Sequence, residues 1–222
     1  MVQIDREVNL NGSGASARIA NPWPGAVVTV VERTGSTMDD CLALGLRGMP
    51  SGTAVVAGFQ ERGRGRAPGR RWLSPGWESL LMTVLVRAGD LAFPPSQLPL
   101  RVGLAVSRAV GDATGTEPSL RWPNDAMLAG RKVAGILCES RGELLLAGIG
   151  VNCLQRSFPP EIADRAGSLL LATGKTSAPD ILTLAVGDIE NNSIAKGKYD
   201  MNSFARGLTH IIPARYLVTN LQ

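Results

Sequence analysis

Histidine is almost absent from this sequence: His210 stands alone among 222 residues and lies far from every motif described below. That argues against a Ser-His-Asp hydrolase and against a histidine-rich metal site. Cysteine is scarce as well. Cys41, Cys138 and Cys153 are too far apart for a metal knuckle, and their odd number argues against a disulfide framework. They read as small buried residues of a reduced, cytoplasmic protein, with no metal held by cysteine or histidine. No apolar run approaches the roughly eighteen residues of a membrane span. The N-terminus carries Asp5, Arg6 and Glu7 and lacks the apolar core of a signal peptide, so neither a membrane nor export is expected. Excess charge is small: 23 basic against 19 acidic residues give a net +4. With 44% hydrophobic and 19% charged residues, the chain suits one soluble globular domain with a real core.

What is present is concentrated in one stretch. Gln60 to Trp72 packs Arg62, Arg64, Arg66, Arg70 and Arg71 with Gly63, Gly65 and Gly69 into thirteen residues. No large apolar side chain lies between Glu61 and Arg71, so core burial cannot hold the segment. Arginine offers a planar fork for carboxylate or phosphate oxygens, and glycine lets backbone approach closely. Fixing thirteen backbones costs on the order of 10 kcal/mol, while each charge-assisted hydrogen bond returns about 1.5–3 kcal/mol. Several must therefore form together, which predicts a loop that orders around an anion. A solvated basic turn and a phosphate grip for nucleic acid are the alternatives.

The rest of the chain frames this loop. Residues 1–24 read as a loose lead-in, and 25–222 as one domain. Ala26–Arg33 reads as a buried strand. Ser36 with Asp39 resembles a capping box opening a helix to Gly48, with Met38, Leu42 and Leu46 on one face. Hydroxyls and amides at that strand-to-helix corner also suit a polar head group. Thr53–Gln60 and Glu78–Arg87 read as strands, and Leu100–Ala113 as a helix ending near Gly115. Ser119–Arg121 runs into a sharp Pro123-Asn124-Asp125 corner. Met127–Gly130 and Lys132–Ser140 form a hairpin, and Glu143–Val151 pairs with the second arm. Beyond Pro159 short helices are expected, the longest over Pro179–Ala195 behind Ser177 and Asp180. The tail from Tyr199 has no clear pattern.

Three blocks taken together resemble the signature of biotin protein ligases: Gly63-Arg64-Gly65-Arg66 with Trp72, Arg121-Trp122-Pro123-Asn124-Asp125, and Arg131-Lys132-Val133-Ala134-Gly135-Ile136-Leu137. Ser36-Thr37 and Gly148-Ile149-Gly150-Val151-Asn152 are similar to two further blocks of that family. The likeness runs over roughly residues 26–196. It implies an α/β (α+β) fold akin to class II aminoacyl-tRNA synthetases, a mixed and mostly antiparallel sheet flanked by helices. It also implies a cytoplasmic enzyme that uses ATP and Mg2+ to make biotinyl-AMP and then biotinylates a lysine on the biotin carboxyl carrier domain of a carboxylase. By similarity, Ser36, Thr37, Met38, Gln60, Gly63, Arg64, Gly65, Arg66, Trp72, Lys132 and Gly135 line the biotin and adenylate site. Lys132, Arg66 and Arg64 would carry the catalysis, and Asn124 and Asp125 would face nucleotide, magnesium or acceptor lysine. The chemistry suits them, because joining a carboxylate to a triphosphate needs fixed cations before it needs a proton shuttle.

The sequence also departs from that family. The arginine loop is one residue longer through Ala67-Pro68, Arg121 replaces a lysine, and Met38 replaces an asparagine or glutamine. The family's small C-terminal β-barrel and its DNA-binding domain are expected to be missing, so neither repression nor DNA binding is expected. Dimerisation through a sheet edge is implied by resemblance alone. A lipoate ligase or octanoyl transferase should show an Arg-Arg-x-x-Gly-Gly-Gly block, which is not found. A non-catalytic biotin-binding relative remains the other reading.

Overall fold

A computed structural model describes residues 25–174. The lead-in over 1–24, the helix expected over Pro179–Ala195 and the tail lie outside the described residues.

Seven strands form one sheet in the order β1-β2-β3-β7-β6-β5-β4. They are β1 (Val28–Thr34), β2 (Ala54–Gln60), β3 (Ser79–Arg87), β4 (Ser119–Arg121), β5 (Asp125–Leu128), β6 (Arg131–Arg141) and β7 (Leu144–Asn152). Only β1 and β2 run parallel; every other pair is antiparallel. The parallel pair follows from its connection, since a helix can cross between parallel strands whereas a short turn cannot.

That crossover helix is α1 (Thr37–Leu46), and it packs on β2, β3 and β7. A second helix, α2 (Leu98–Thr114), covers the opposite face, mainly over β4, β5 and β6. Successive strand residues point to opposite faces. Val55, Leu85, Leu144 and Leu146 therefore join Met38 and Cys41 under α1. Their alternates Val56, Met82, Val84, Leu145, Ala147 and Ile149 join Val102, Val106 and Val110 under α2. Helices on both faces explain why β3 is apolar along nearly its whole length rather than alternating. Burying each of the three valines of α2 contributes roughly 1.5 kcal/mol or more.

Two readings from sequence are corrected here. The strand at 26–33 is not buried: β1 is an edge strand with an exposed or half-exposed face throughout. The buried stripe of α1 is Met38, Cys41 and Gly45, while Leu46 is 74% exposed. Gly45 causes the difference. A Cβ there would come within 3.0 Å of both Leu85 and Leu144, so the helix seats on the sheet through its smallest residue and turns Leu46 outward. The cap is also only half of a box. Ser36 Oγ accepts from the Met38 N–H at 3.3 Å, but the Asp39 carboxylate turns outward to Arg64.

The hairpin, the Pro-Asn-Asp corner and the helix end at Gly115 all fall where the pattern placed them. Trp122-Pro123 is a cis peptide. A short helix, α3 (Leu169–Thr173), is capped by Ser168 and closes the described region.

Candidate functional site

The start of α1, the end of β2 and the middles of β6 and β7 meet around a cleft. Its floor is apolar, from Leu81, Met82, Ile136, Leu137 and Ile149. Its rim is polar. Ser36, Thr37, Gln60, Arg64, Gly65, Arg66, Trp72, Asn124, Lys132 and Gly135 all line it, as does Met38. Two expected residues do not. Gly63 is buried under Trp72, whose carbonyl oxygen would stand 2.8 Å from a Cβ at that position. Asp125 lies behind Lys132 rather than on the surface of the cleft.

The α1 corner is not an open anion site. The Thr37 N–H donates to Gln60 Oε1 at 2.8 Å, the Met38 N–H donates to Ser36 Oγ, and those of Asp39 and Asp40 donate to the Ser36 carbonyl. Thr37 Oγ1 also donates to Gln60 Oε1 at 3.0 Å and pairs with buried Thr83 at 2.8 Å. The helix amides are thus consumed by the protein itself. What the corner presents is Gln60, oriented through its oxygen, with no partner for its Nε2 among the described residues.

The arginine loop carries structure of its own that its composition concealed. Gly65 N–H donates to the Arg70 carbonyl at 2.8 Å, Trp72 N–H donates to the Gly63 carbonyl at 3.0 Å, and Arg64 and Arg71 face each other as a bridge. The segment is a narrow ribbon folded back on Trp72. The indole in turn rests on two glycines placed directly opposite one another, Gly135 of β6 and Gly150 of β7. A Cβ at Gly150 would meet the ring at 2.7 Å, and one at Gly135 would meet it at 2.9 Å. Glycine in mid-strand marks such close approach, and that signal in Gly148-Ile149-Gly150 could have placed this wall of the cleft beforehand. Trp72 Nε1 is buried with no hydrogen-bond partner among the described residues.

Charge in the site is mostly paired. Arg64 Nη1 lies 2.8 Å from Asp39 Oδ1 and 3.0 Å from Oδ2, and Arg64 Nε lies 3.4 Å from Glu139. Lys132 Nζ stands 2.6 Å from Asp125 Oδ1 and 5.6 Å from the Trp72 ring centre, a distance suited to a cation–π contact. Arg121 closes on the other oxygen of Asp125 at 2.8 Å. Burial alone would push the Asp125 carboxyl upward, but the bonds and charges of Lys132 and Arg121 outweigh it and hold it below its ordinary range. Arg66 is exposed and has no acidic partner among the described residues. Of the three cations expected at the site, Arg64 and Lys132 are thus paired with carboxylates and Arg66 is not, among the described residues. The partners are Asp39, Glu139 and Asp125; sequence offered Asp39 only as part of a helix cap and did not single out Glu139.

The model of the biotin/lipoate A/B protein ligase family matches residues 30–155. A biotin--[acetyl-CoA-carboxylase] ligase of Mycobacterium tuberculosis is 36% identical over 156 residues, which cover 68% of this chain and 57% of that protein. The biotin protein ligase of Aquifex aeolicus, solved with biotin and ATP, superposes with a TM-score of 0.63 at 36% identity, covering 73% of this chain and 68% of that one. That of Leishmania major, solved with biotinyl-5-AMP, gives 0.61 at 28% identity over 73% and 72% of the two chains. The chain spans about half the length of the curated relatives it matches. The sheet and its flanking helices have the class II synthetase-like architecture of these neighbours.

Proposed function

This chain belongs to the biotin/lipoate A/B protein ligase family, and from that premise we propose that it activates biotin with ATP and transfers it to a carrier-protein lysine. A biotin carboxylate oxygen attacks the α-phosphorus, the bond to the β-phosphate oxygen breaks, and pyrophosphate leaves. The acceptor amine then attacks the acyl carbon of biotinyl-AMP, AMP leaves, and the amine gives up a proton. The single observation that carries this reading is the convergence of cations from two separate elements, the loop and β6, on one apolar-floored cleft.

The floor and the Trp72 ring suit an apolar acyl chain, and Trp72 Nε1 and Gln60 Nε2 are donors without partners among the described residues. Ser36, Thr37 and Gln60 would orient the ligand's polar head, and Arg64, Gly65 and Arg66 would close over the carboxylate and phosphate. Lys132 would neutralise the charge that gathers between carboxylate and α-phosphate, leaving Asp125 for the new anion. Asn124, whose amide donates to the Ile136 carbonyl at 2.9 Å, would border the nucleotide. Among the described residues no group of three acidic, histidine or cysteine side chains is placed to cage a metal. Asp125 already faces two cations, so magnesium is best placed as counter-ion to the nucleotide phosphates, its usual partners. The partner would be the carrier domain of a biotin-dependent carboxylase. No helix among the described residues is long and apolar enough to cross a membrane. A cytoplasmic location fits three unpaired cysteines. The sheet's two edge strands, β1 and β4, are where a second chain would pair, which sedimentation would check.

Pyrophosphate exchange into ATP tests the reading, run with biotin, with lipoate and with no acid. Exchange with biotin alone is expected. Lys132→Ala should lower it about 100- to 1000-fold, the loss seen when one preorganised donor is removed from a reacting centre, while biotin still binds. Exchange with lipoate only, or none with biotin, overturns the assignment.

A further inference from the structure

The sheet layer beneath α1 is built from Val55, Leu85, Leu144 and Leu146, yet a hydroxyl stands beside them. Thr83, midway along β3, is wholly buried. We propose that Thr83 is a positioning residue for Gln60, acting through the hydroxyl of Thr37. The inference rests on the role given above to Gln60, but the linkage itself can be tested with no ligand present.

The first turn of α1 seats on a single cross-strand pair. Thr83 of β3 lies directly opposite Gly148 of β7. Thr37 rests on the first of these and Met38 on the second. The Thr37 and Thr83 hydroxyl oxygens are 2.8 Å apart, and a Cβ at Gly148 would stand 3.1 Å from the Met38 sulfur. One turn further along α1, Cys41 Sγ lies 3.7 Å from the Thr83 carbonyl oxygen. Thr37 and Met38 both line the cleft, whereas Thr83 stands behind them. Among the described residues the Thr83 hydroxyl has Thr37 as its one hydrogen-bond partner.

The direction of these bonds follows from the protons available. The Thr37 N–H can only donate, and it meets the Gln60 side chain at 2.8 Å, so the atom it meets is the amide oxygen. The Thr37 hydroxyl meets the same oxygen at 3.0 Å and has a single proton to give. That proton goes to Gln60, and the Thr37 oxygen is left to accept from Thr83. The chain therefore runs one way, from Thr83 to Thr37 to Gln60, and Gln60 is left to offer its Nε2 to a ligand. Thr83→Val keeps the branched shape and removes the donor at the head of this chain. Thr37 is 2% exposed, so its oxygen would then face methyl groups. A buried oxygen without a partner is costly, and the rotamer that turns it to the cleft and to water gains ground. Gln60 would keep one donor in place of two, and its amide would lose its fixed heading.

Two substitutions separate the hydroxyl from the packing. Thr83→Val removes the donor and keeps the bulk, while Thr83→Ser keeps the donor and removes a buried methyl. Three measurements follow each: the urea midpoint, the Thr37 χ1 rotamer read from three-bond NMR couplings in the ligand-free protein, and biotin-dependent pyrophosphate exchange. Both variants should lose stability, but affinity should follow the hydroxyl and not the urea midpoint. Thr83→Ser should hold Thr37 in one rotamer and keep the KM for biotin within about twofold of wild type. Thr83→Val should show averaged couplings at Thr37 and a KM raised about five- to tenfold, as for loss of one buried hydrogen bond. Its turnover number should stay within about twofold, because the contact serves bound biotin and transition state alike. A KM raised as much in Thr83→Ser as in Thr83→Val, or a single Thr37 rotamer in Thr83→Val, overturns the proposal. Averaged couplings in Thr83→Val, beside a wild type that never exchanges pyrophosphate with biotin, would instead refute the ligase reading and leave the linkage standing.

Discussion

Gly150→Ala puts the loop and its platform to a quantitative test. Gly150 is not in the left-handed region, so alanine brings no backbone strain. The new methyl would lie 2.7, 2.8 and 3.1 Å from three Trp72 ring atoms, and ordinary contact starts at 3.4 Å. The indole must therefore retreat by about 0.7 Å, since carbon contacts settle near 3.5–4.0 Å. It does not do so alone, because the backbone N–H of Trp72 donates to the Gly63 carbonyl at the base of the ribbon. The loop moves with it. In stability the change is small: alanine gains about 0.5–1 kcal/mol over glycine in a strand, against about 1–3 kcal/mol for overpacking. In function it is large, near 100-fold in pyrophosphate exchange, for a wall of the site displaced by most of an ångström. Urea denaturation and the exchange assay, run beside Gly89→Ala, where a Cβ meets nothing within 4 Å, separate the two effects. Wild-type exchange in Gly150→Ala would refute the seating of the indole on the glycine pair.

Other consequences are as direct. Asp39→Asn removes the closer partner of Arg64, and tryptic cleavage between residues 62 and 71 should speed several-fold and be slowed again by biotin with ATP; equal cleavage rates would remove Asp39 from the control of the loop. The Asp125 carboxyl sits below its ordinary value of 3.8, so its contribution is complete above that value and is lost as the pH falls toward the folded-state pKa. The urea midpoint of wild type should accordingly drop more between pH 5 and pH 3 than that of Asp125→Asn, and parallel curves would count against the pairing. Burial raises Cys41, Cys138 and Cys153 to about 12, so thiol reagents at pH 8 should label none of them in the folded domain, and any rapid labelling there would contradict the packing.

The fold was legible where one physical rule acts alone. Apolar runs gave the strands, and Ser36 and Gly115 bounded the helices. It was not legible where packing chooses between equal candidates. Leucines at 42 and 46 outrank Gly45 in hydrophobicity, yet the closeness of helix to sheet selected the glycine. The edge position of β1 follows from strand order, which periodicity does not contain. In the site, the cations were visible as sequence motifs, but their neutralisation was not. Asp39 looked like part of a helix cap, and Glu139 had no pattern around it.

That hidden pairing changes what ligand binding must do. Were Arg64 and Lys132 bare, an incoming carboxylate would simply add its charge to theirs. Because each already faces carboxylates, a ligand oxygen has to compete with Asp39 and Glu139 for Arg64, and with Asp125 for Lys132. The two contests differ. Arg64 and Asp39 are largely solvated, and an exposed ion pair is worth about 0–1 kcal/mol, so this contact yields readily and the loop can re-form around an anion. Lys132 and Asp125 are less exposed, Arg121 shares the aspartate, and the backbone of Lys132 is held on both sides. This ammonium keeps its place and turns to a new anion without travelling. A cation whose pairing yields and another held in place suit the proposed reaction, whose charge gathers at one phosphorus and then departs with pyrophosphate.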